Sequence, residues 1–255
     1  MVLPSLLHWA DVFLVSIYGR DMHAGDGTIR NMAGTLLAPL TMSVHGVLFD
    51  MDGVLISSTD ADERCWLRWA RFHDMEGTFS IQSTHGRRSI DTLRVLRPDL
   101  DPMVERKRLE DFDAEDPGEV IVLPGVKPLI ASLPANAWTI VTSAPESLMK
   151  NRLISTGIPM PQSFVSADDV THGKPHPEPY ERGARVLGLK PSECLVIEDA
   201  PAGIKAGKAA GCRVLAVLSS HSAAELTDAD WIVPSLEHVT AVPSDNGTIT
   251  IRLDV

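Results

Sequence analysis

Only three cysteines, Cys65, Cys194 and Cys212, occur in the 255 residues. An odd number with no thiolate metal spacing excludes a disulfide framework and a zinc-ribbon site. Cys194 and Cys212 stand in or beside apolar stretches, where buried thiols are common. The missing cross-links point to a cytoplasmic protein. Basic residues are scarce as well: 23 Lys and Arg against 34 Asp and Glu leave a formal net charge of -11. Such a surface does not attract nucleic acid or an anionic membrane, so neither is expected as a partner. A phosphate site in this chain must instead build its own positive field from a metal, a lysine and backbone amides. No apolar run approaches the ~18 residues that span a bilayer. No lysine or arginine precedes Arg20, and Asp11 separates two short apolar pieces, Met1–Leu7 and Val12–Tyr18. That is not the pattern of a secretory signal. Residues 1–41 read as an extension, with Met42 a candidate start of translation.

What is present suits a packed globular chain. Hydrophobic residues make up 44% and charged residues 22%, near the averages of folded domains. The length fits one sizeable domain or a core with a small insert. The first strong strand is Val44–Phe49, which stops abruptly at Asp50-Met51-Asp52-Gly53. Helical stretches follow at Asp60–His73, Ser89–Leu96 and Pro102–Asp113, with Trp66, Leu67, Trp69 and Ala70 at helical spacing in the first. After the breaks Asp116-Pro117-Gly118 and Leu123-Pro124-Gly125, strands and helices alternate. Strands are expected at Ala137–Val141, Ser163–Val165, Cys194–Ile197, Arg213–Val217 and Ile232–Val233. Helices are expected at Glu146–Ser155, Glu178–Leu187 and Ala202–Ala210.

Alternation of this kind implies an α/β fold, a parallel sheet with helices on both faces. The helical region 57–123 interrupts the alternation directly after the first strand and reads as an inserted cap. The core is then 42–56 together with 124–255. Ligands of parallel sheets bind beyond the carboxyl ends of the strands, and a cap emerging there sits over the site.

Four features fall at strand ends or in the loops next to them: Asp50 and Asp52; Thr142 and Ser143; Lys174; and Glu198 with Asp199. Each alone has an ordinary reading. Asp-x-Asp-Gly occurs in many turns, Thr142 and Ser143 suit helix caps, and Glu198-Asp199 suits a helix N-terminus. In this order, each at a strand end, they are similar to the motifs of the haloacid dehalogenase superfamily, from strand one to about Val233. The resemblance implies a Rossmann-like core with a small helical cap of type C1.

It also implies roles. A phosphate monoester repels anionic nucleophiles, so a carboxylate attacks only where positive charge offsets that repulsion. Asp50 is expected as the nucleophile, forming an aspartyl phosphate, and Asp52 as the acid and then the base. Mg2+ takes hard oxygen ligands; Asp50, the Asp52 carbonyl and Asp199 are expected to hold it, with Glu198 a further ligand or an outer partner. Thr142, the Ser143 amide and Lys174 are expected on the phosphoryl group, and Gly53 lets the backbone turn close to it.

Three longer stretches narrow the kinship: Thr84–Thr92 in the cap, and Asp169–Tyr180 and Glu198–Ile204 in the core. They resemble the glycerol-phosphate and 2-deoxyglucose-6-phosphate phosphatases. That implies a cap loop of His85, Gly86, Arg87 and Arg88 touching the substrate's non-reacting end, with Arg88 as the principal donor. His172 and His176 read as loop residues lacking a third metal ligand. The expected activity is hydrolysis of a small sugar or polyol phosphate by a monomer. Two alternatives stand beside it. A hexose-phosphate mutase resembling beta-phosphoglucomutase would use the Arg87-Arg88 pair to hold a second phosphate. A non-catalytic sugar-phosphate sensor would ordinarily have lost Asp50 or Asp52.

Overall fold

The computed structural model describes residues 22–25, 28–31, 40–81, 84–116 and 118–254. Most of the segment read as an extension lies outside these. In chain order the strands are β1 (Met22–Gly25), β2 (Thr28–Asn31), β3 (Leu40–Val44), β4 (Gly46–Phe49), β5 (Ile56–Ser57), β6 (Ile121–Val122), β7 (Trp138–Val141), β8 (Phe164–Val165), β9 (Cys194–Glu198), β10 (Arg213–Val217), β11 (Trp231–Val233), β12 (Val239–Pro243) and β13 (Ile249–Leu253). The helices are α1 (Thr59–Phe72), α2 (Ser89–Leu96), α3 (Pro102–Glu115), α4 (Val126–Ser132), α5 (Glu146–Thr156), α6 (Glu178–Val186) and α7 (Pro201–Ala210).

A six-stranded parallel sheet in the order β11-β10-β9-β4-β7-β8 forms the core. Every residue of β4, β7 and β9 is buried, which is why these strands read as unbroken apolar runs. Alternate side chains enter two cores. Val47, Phe49, Ile140 and Ile197 pack with Leu129, Met149 and Leu153 of α4 and α5. Leu48, Val141 and Val196 pack with Tyr180, Ala184 and Ile204 of α6 and α7. Because β4 is central, its neighbours β7 and β9 bring their carboxyl ends to either side of Asp50.

The start of the core differs from the sequence reading. Where one strand was expected over Val44–Phe49, the chain forms β3 and then β4, parted by His45. Strand β3 is the edge of an antiparallel sheet of order β12-β13-β3, with Leu40 opposite Leu253 and Met42 opposite Ile251. The folded unit therefore includes Leu40 and Thr41, and Met42 lies within a strand. Its even positions Met42 and Val44 face the core while Thr41 and Ser43 are exposed, a two-residue period short enough to be hidden beside the stronger run that follows. Helix α4 is not among the expected helices, since the sequence reads Leu123-Pro124-Gly125 as a break and the helix begins directly after it.

Helices α1, α2 and α3 share a separate cluster built on Trp66, Trp69, Leu93 and Leu109. Trp66 and Trp69 meet edge to face at 5.7 Å, and Trp66 stacks on Phe79. The buried Glu105 carboxylate holds this cluster together. It accepts from Trp69 Nε1 at 2.8 Å and Arg108 Nε at 3.1 Å, and pairs with His73 Nε2 at 2.7 Å. The two chain crossings between this cluster and the sheet lie side by side, as the antiparallel pair β5 and β6. Among the described residues no helix is long and apolar enough to cross a membrane.

Candidate active site

Strand β4 ends at Phe49, and Asp50 follows it, buried and held in place by its amide, which donates to the Ile197 carbonyl at 3.0 Å. The Lys174 ammonium, also buried, lies 2.8 Å from Asp50 Oδ1 and 2.7 Å from Glu198 Oε1. Glu198 ends β9. Its Oε1 also accepts from the Tyr180 hydroxyl at 2.6 Å, and its Oε2 from the amides of Asp199 and Ala200. Both oxygens are thus engaged by two donors each, which makes Glu198 the group that orients Lys174. Any side chain at Gly203 would run into this carboxylate, so the first turn of α7 must be bare there. Asp199, one residue on, accepts from the Ser220 hydroxyl.

Oxygens of Asp50, Glu198 and Asp199 lie within 4.8 Å of one another. Three buried carboxylates around one ammonium leave a surplus of negative charge that is costly away from water. Burial pushes the Asp50 carboxyl from 3.8 up to about 7, against the pull of Lys174 and with a further push from Glu198. Asp199 is raised well above the usual range by burial and then by Glu198 and Asp50. For Lys174, burial opposes the charged form, but Asp50 and Glu198 outweigh it and the group is raised. The donor set is all hard oxygen, and such a set fits a divalent cation.

Thr142 is buried past the end of β7, its Oγ1 accepting from the Ala144 amide at 3.0 Å. Ser143 Oγ donates to the Gly86 carbonyl at 3.0 Å, joining the core to the cap loop. Gly53 has φ +79°, and a Cβ there would overlap the Asp199 carboxylate. Asp52 turns toward the cap: its Oδ1 accepts from Ser58 Oγ and from the Arg152 guanidinium, each at 2.6 Å.

A cavity of about 690 Å³ opens over these groups, lined by Asp50, Asp52, Ser143 and Asp199 from the core and His85, Gly86 and Arg87 from the cap. Gly86, with φ +69°, rests on Ala200, where an added Cβ would come within 2.9 Å. Neither ring nitrogen of His85 has a hydrogen-bond partner; the ring meets His221 edge-on at 5.4 Å. Burial lowers its pKa, and His221 adds to that.

The placement of Arg88 corrects the sequence reading. Its side chain is buried and turned away from the cavity, onto the loop leading to Lys174. Nε and one terminal nitrogen bind both oxygens of Asp91, at 2.7 and 3.0 Å. The remaining N–H groups reach the carbonyls of Val170 (2.6 Å), Thr171 (2.8 Å) and Ala167 (3.5 Å). An arginine has five N–H donors, and these contacts engage them all. Adjacent Arg87 and Arg88 point in different directions because Arg88 is the residue from which α2 starts. His172 and His176 also differ from expectation: Glu178 lies beside them, 3.1 Å from His172 Nδ1, and its carboxylate accepts the amides of Thr171 and His172.

Arg152 was missed altogether. It lies on α5, with its side chain 5% exposed, and binds Asp52 and Asp62 at 2.6 Å each, with Asp113 at 3.7 Å. A signal existed, since Arg152 falls on the same helical face as the buried Met149 and Leu153. A charge on an apolar stripe needs a partner. Tyr180 and Ser220 carried no comparable mark.

Comparisons with known proteins identify the family and the fold. The family model for haloacid dehalogenase-like hydrolases matches residues 44–211. Hexitol phosphatase A of Escherichia coli (strain K12) is 38% identical over 216 residues, covering 83% of this chain and 100% of the relative. Glycerol-1-phosphate phosphohydrolase 2 of Saccharomyces cerevisiae is 35% identical over 204 residues, 73% of this chain and 80% of its own. Among solved structures, beta-phosphoglucomutase from Clostridium difficile matches with a TM-score of 0.63 at 23% identity, over 76% of this chain and 92% of that one. This last likeness speaks for the fold alone.

Two predictions follow from the electrostatics and from Arg88. In chelated protein, the raised pKa of Asp50 means the folded state favours the neutral carboxyl. That stability is present below about pH 4 and is lost as pH rises through about 7. A divalent cation offsets the loss by favouring the ionised form, so the melting-temperature gap between cation-loaded and chelated protein should widen from about pH 5 to about pH 8. A gap independent of pH would contradict the site. Arg88→Ala should lower stability by about 1 kcal/mol or more, because it removes the donor shared by the Asp91 carboxylate and three part-buried or exposed loop carbonyls. Denaturant unfolding reads this out; full stability with a raised KM would return Arg88 to substrate contact.

Proposed function

The chain belongs to the haloacid dehalogenase-like hydrolases and is a phosphatase of phosphoric monoesters, and we propose that it hydrolyses a small, otherwise uncharged sugar or polyol phosphate, using Mg2+ and an aspartyl phosphate on Asp50. The observation that carries the substrate class is the charge of the cap-side wall. Asp62, Glu63, Glu110, Asp113 and Glu119 line the cavity there. Among the described residues Glu63 and Glu119 have no arginine partner, and the five carboxylates outnumber the three guanidinium groups of the lining, which suits hydroxyl donors and disfavours a second anion. Two of the three guanidinium groups on the cavity wall are already paired, Arg106 with Glu110 and Asp168 and Arg152 with Asp52, Asp62 and Asp113, which among the described residues leaves Arg87 as the single arginine there without an ion pair. With Arg88 turned away, a mutase's second phosphate lacks the paired arginines that would receive it. The relatives named for hexitol and glycerol-1-phosphate fit the same class.

In this reading Asp50 attacks phosphorus in line with the leaving oxygen. Lys174, held by Glu198, offsets the charge of the carboxylate and the phosphoryl oxygens, while Thr142 and the Ser143 amide orient the phosphoryl group. Asp52 delivers a proton to the leaving oxygen and then takes one from the attacking water. Bound at Asp50 and Asp199, Mg2+ would supply the positive charge that lets two anions approach. Residues 57–123 act as the cap, hinged at β5 and β6, over a core of 40–56 and 124–254. The enzyme works in the cytoplasm and as a monomer; one chain furnishes both walls of the cavity, which supports the monomer.

Asp50→Asn should abolish turnover, and an appreciable residual rate would refute the covalent role. Asp52→Asn should form phosphoenzyme slowly and stall in its release; unchanged steady-state turnover would remove it as acid and base. A phosphate-release screen over sugar and polyol phosphates, with Mg2+ and then with EDTA, should give one preferred substrate near ~10⁴ M⁻¹s⁻¹ or above. Turnover that appears only with added glucose 1,6-bisphosphate would establish a mutase instead.

A further inference from the structure

Arg152 is a buried cation shared by two parts of the molecule. It stands on α5, a core helix, and its guanidinium meets Asp52 from the catalytic loop, Asp62 from α1 and Asp113 from α3. Ser58, in the crossing between core and cap, runs a second path beside it: its hydroxyl lies 2.6 Å from Asp52 Oδ1 and 3.0 Å from Asp62 Oδ2. The same oxygen of Asp52 takes both contacts. Its direction is therefore set by the guanidinium and the hydroxyl together. The guanidinium in turn cannot move freely, because a buried cation that leaves its partners is uncompensated.

We propose that Arg152 is a positioning residue for the acid/base chemistry: it aims the Asp52 carboxylate, and the cap residues Asp62 and Asp113 fix Arg152 in the position from which it does so. This rests on the reading of Asp52 as acid and base given above. The consequence is that proton delivery is assembled only when the cap is seated. With the cap displaced, Asp62 and Asp113 withdraw from the guanidinium, and the aim of Asp52 is lost with them. With the cap down, one cation ties the acid to the wall that holds the leaving group. A carboxylate displaced by about 1 Å loses much of its efficiency as a proton donor.

Leaving-group dependence separates positioning from mere structural support. Departure of a polyol needs a proton, whereas departure of 4-nitrophenolate needs very little. The ratio kcat/KM counts only the steps up to leaving-group release, so it isolates proton donation from the later hydrolysis. Arg152→Gln should lower kcat/KM for the preferred polyol or sugar phosphate at least about tenfold more than for 4-nitrophenyl phosphate. Arg152→Lys should recover part of that difference, and Asp62→Asn should show the same selective loss to a smaller degree. Equal losses on both substrates would overturn the proposal. A change confined to KM in Asp62→Asn would overturn the link to the cap. If Arg152→Gln does not fold, as judged by circular dichroism, the comparison is made on Arg152→Lys, which keeps the charge but not the forked geometry. An unaltered enzyme that releases no phosphate from any polyol or sugar phosphate would instead defeat the functional reading itself.

Discussion

The position of Lys174 between Asp50 and Glu198 is the interaction on which the rest depends. A buried ammonium between two buried carboxylates exists only if both anions are delivered to it from fixed backbone. Strand β4 delivers one and strand β9 the other, and their hydrogen-bonded register sets the spacing. Glu198 is itself held by the Tyr180 hydroxyl and two amides at the start of α7. Helix α6 therefore enters the site through Tyr180, and α7 through its bare first turn at Gly203. The six-stranded sheet is in this sense a frame for one triad of charges. Its remaining negative surplus, carried by Asp199, is what makes the place attractive to a cation.

Around that triad the sequence was legible to different depths. Strands β4, β7, β9 and β10 are buried on both faces, so their apolar runs and abrupt endings showed where Asp50, Thr142 and Glu198 would gather. Strands β3, β12 and β13 were not legible. They bury one face only, and Pro243 and the Asp245-Asn246-Gly247 turn look like a polar tail until the partner strands are known. Arginines were the hardest to read. Sequence order assigns Arg87 and Arg88 to one loop and says nothing of direction, which here is decided by where α2 begins and by three carbonyls some 80 residues away in sequence. Arg152 shows the converse, a charge whose partners come from three separate elements.

Polar contacts fasten residues 57–123 to the core, and this bears on the chemistry. Arg88 grips the loop of Ala167–Thr171, Arg106 reaches Asp168, and Arg152 reaches back from the core to Asp62 and Asp113. Hydrogen bonds and ion pairs of this kind form and break with little change in buried apolar area. On the cap reading proposed above, they suit a surface that parts and reseats better than a continuous hydrophobic joint would. The apolar cluster of this region is built from α1, α2, α3 and the segment after α1 that carries Met75, Phe79 and Ile81, with no member from the sheet among the described residues.

In the hinge reading proposed above, the paired crossings β5 and β6 set the mechanics of cap movement. Two strands bonded edge to edge form a ribbon that bends across its face but resists splaying and stretching, since either would break its ladder. A body hung on such a ribbon has one soft direction and several stiff ones. On that reading the loop of Thr84–Arg87 is confined to a single arc and meets the core at the same place each time. Selectivity then needs no search over docking orientations: a substrate is tested by whether it fits in the last few ångströms of a predetermined path.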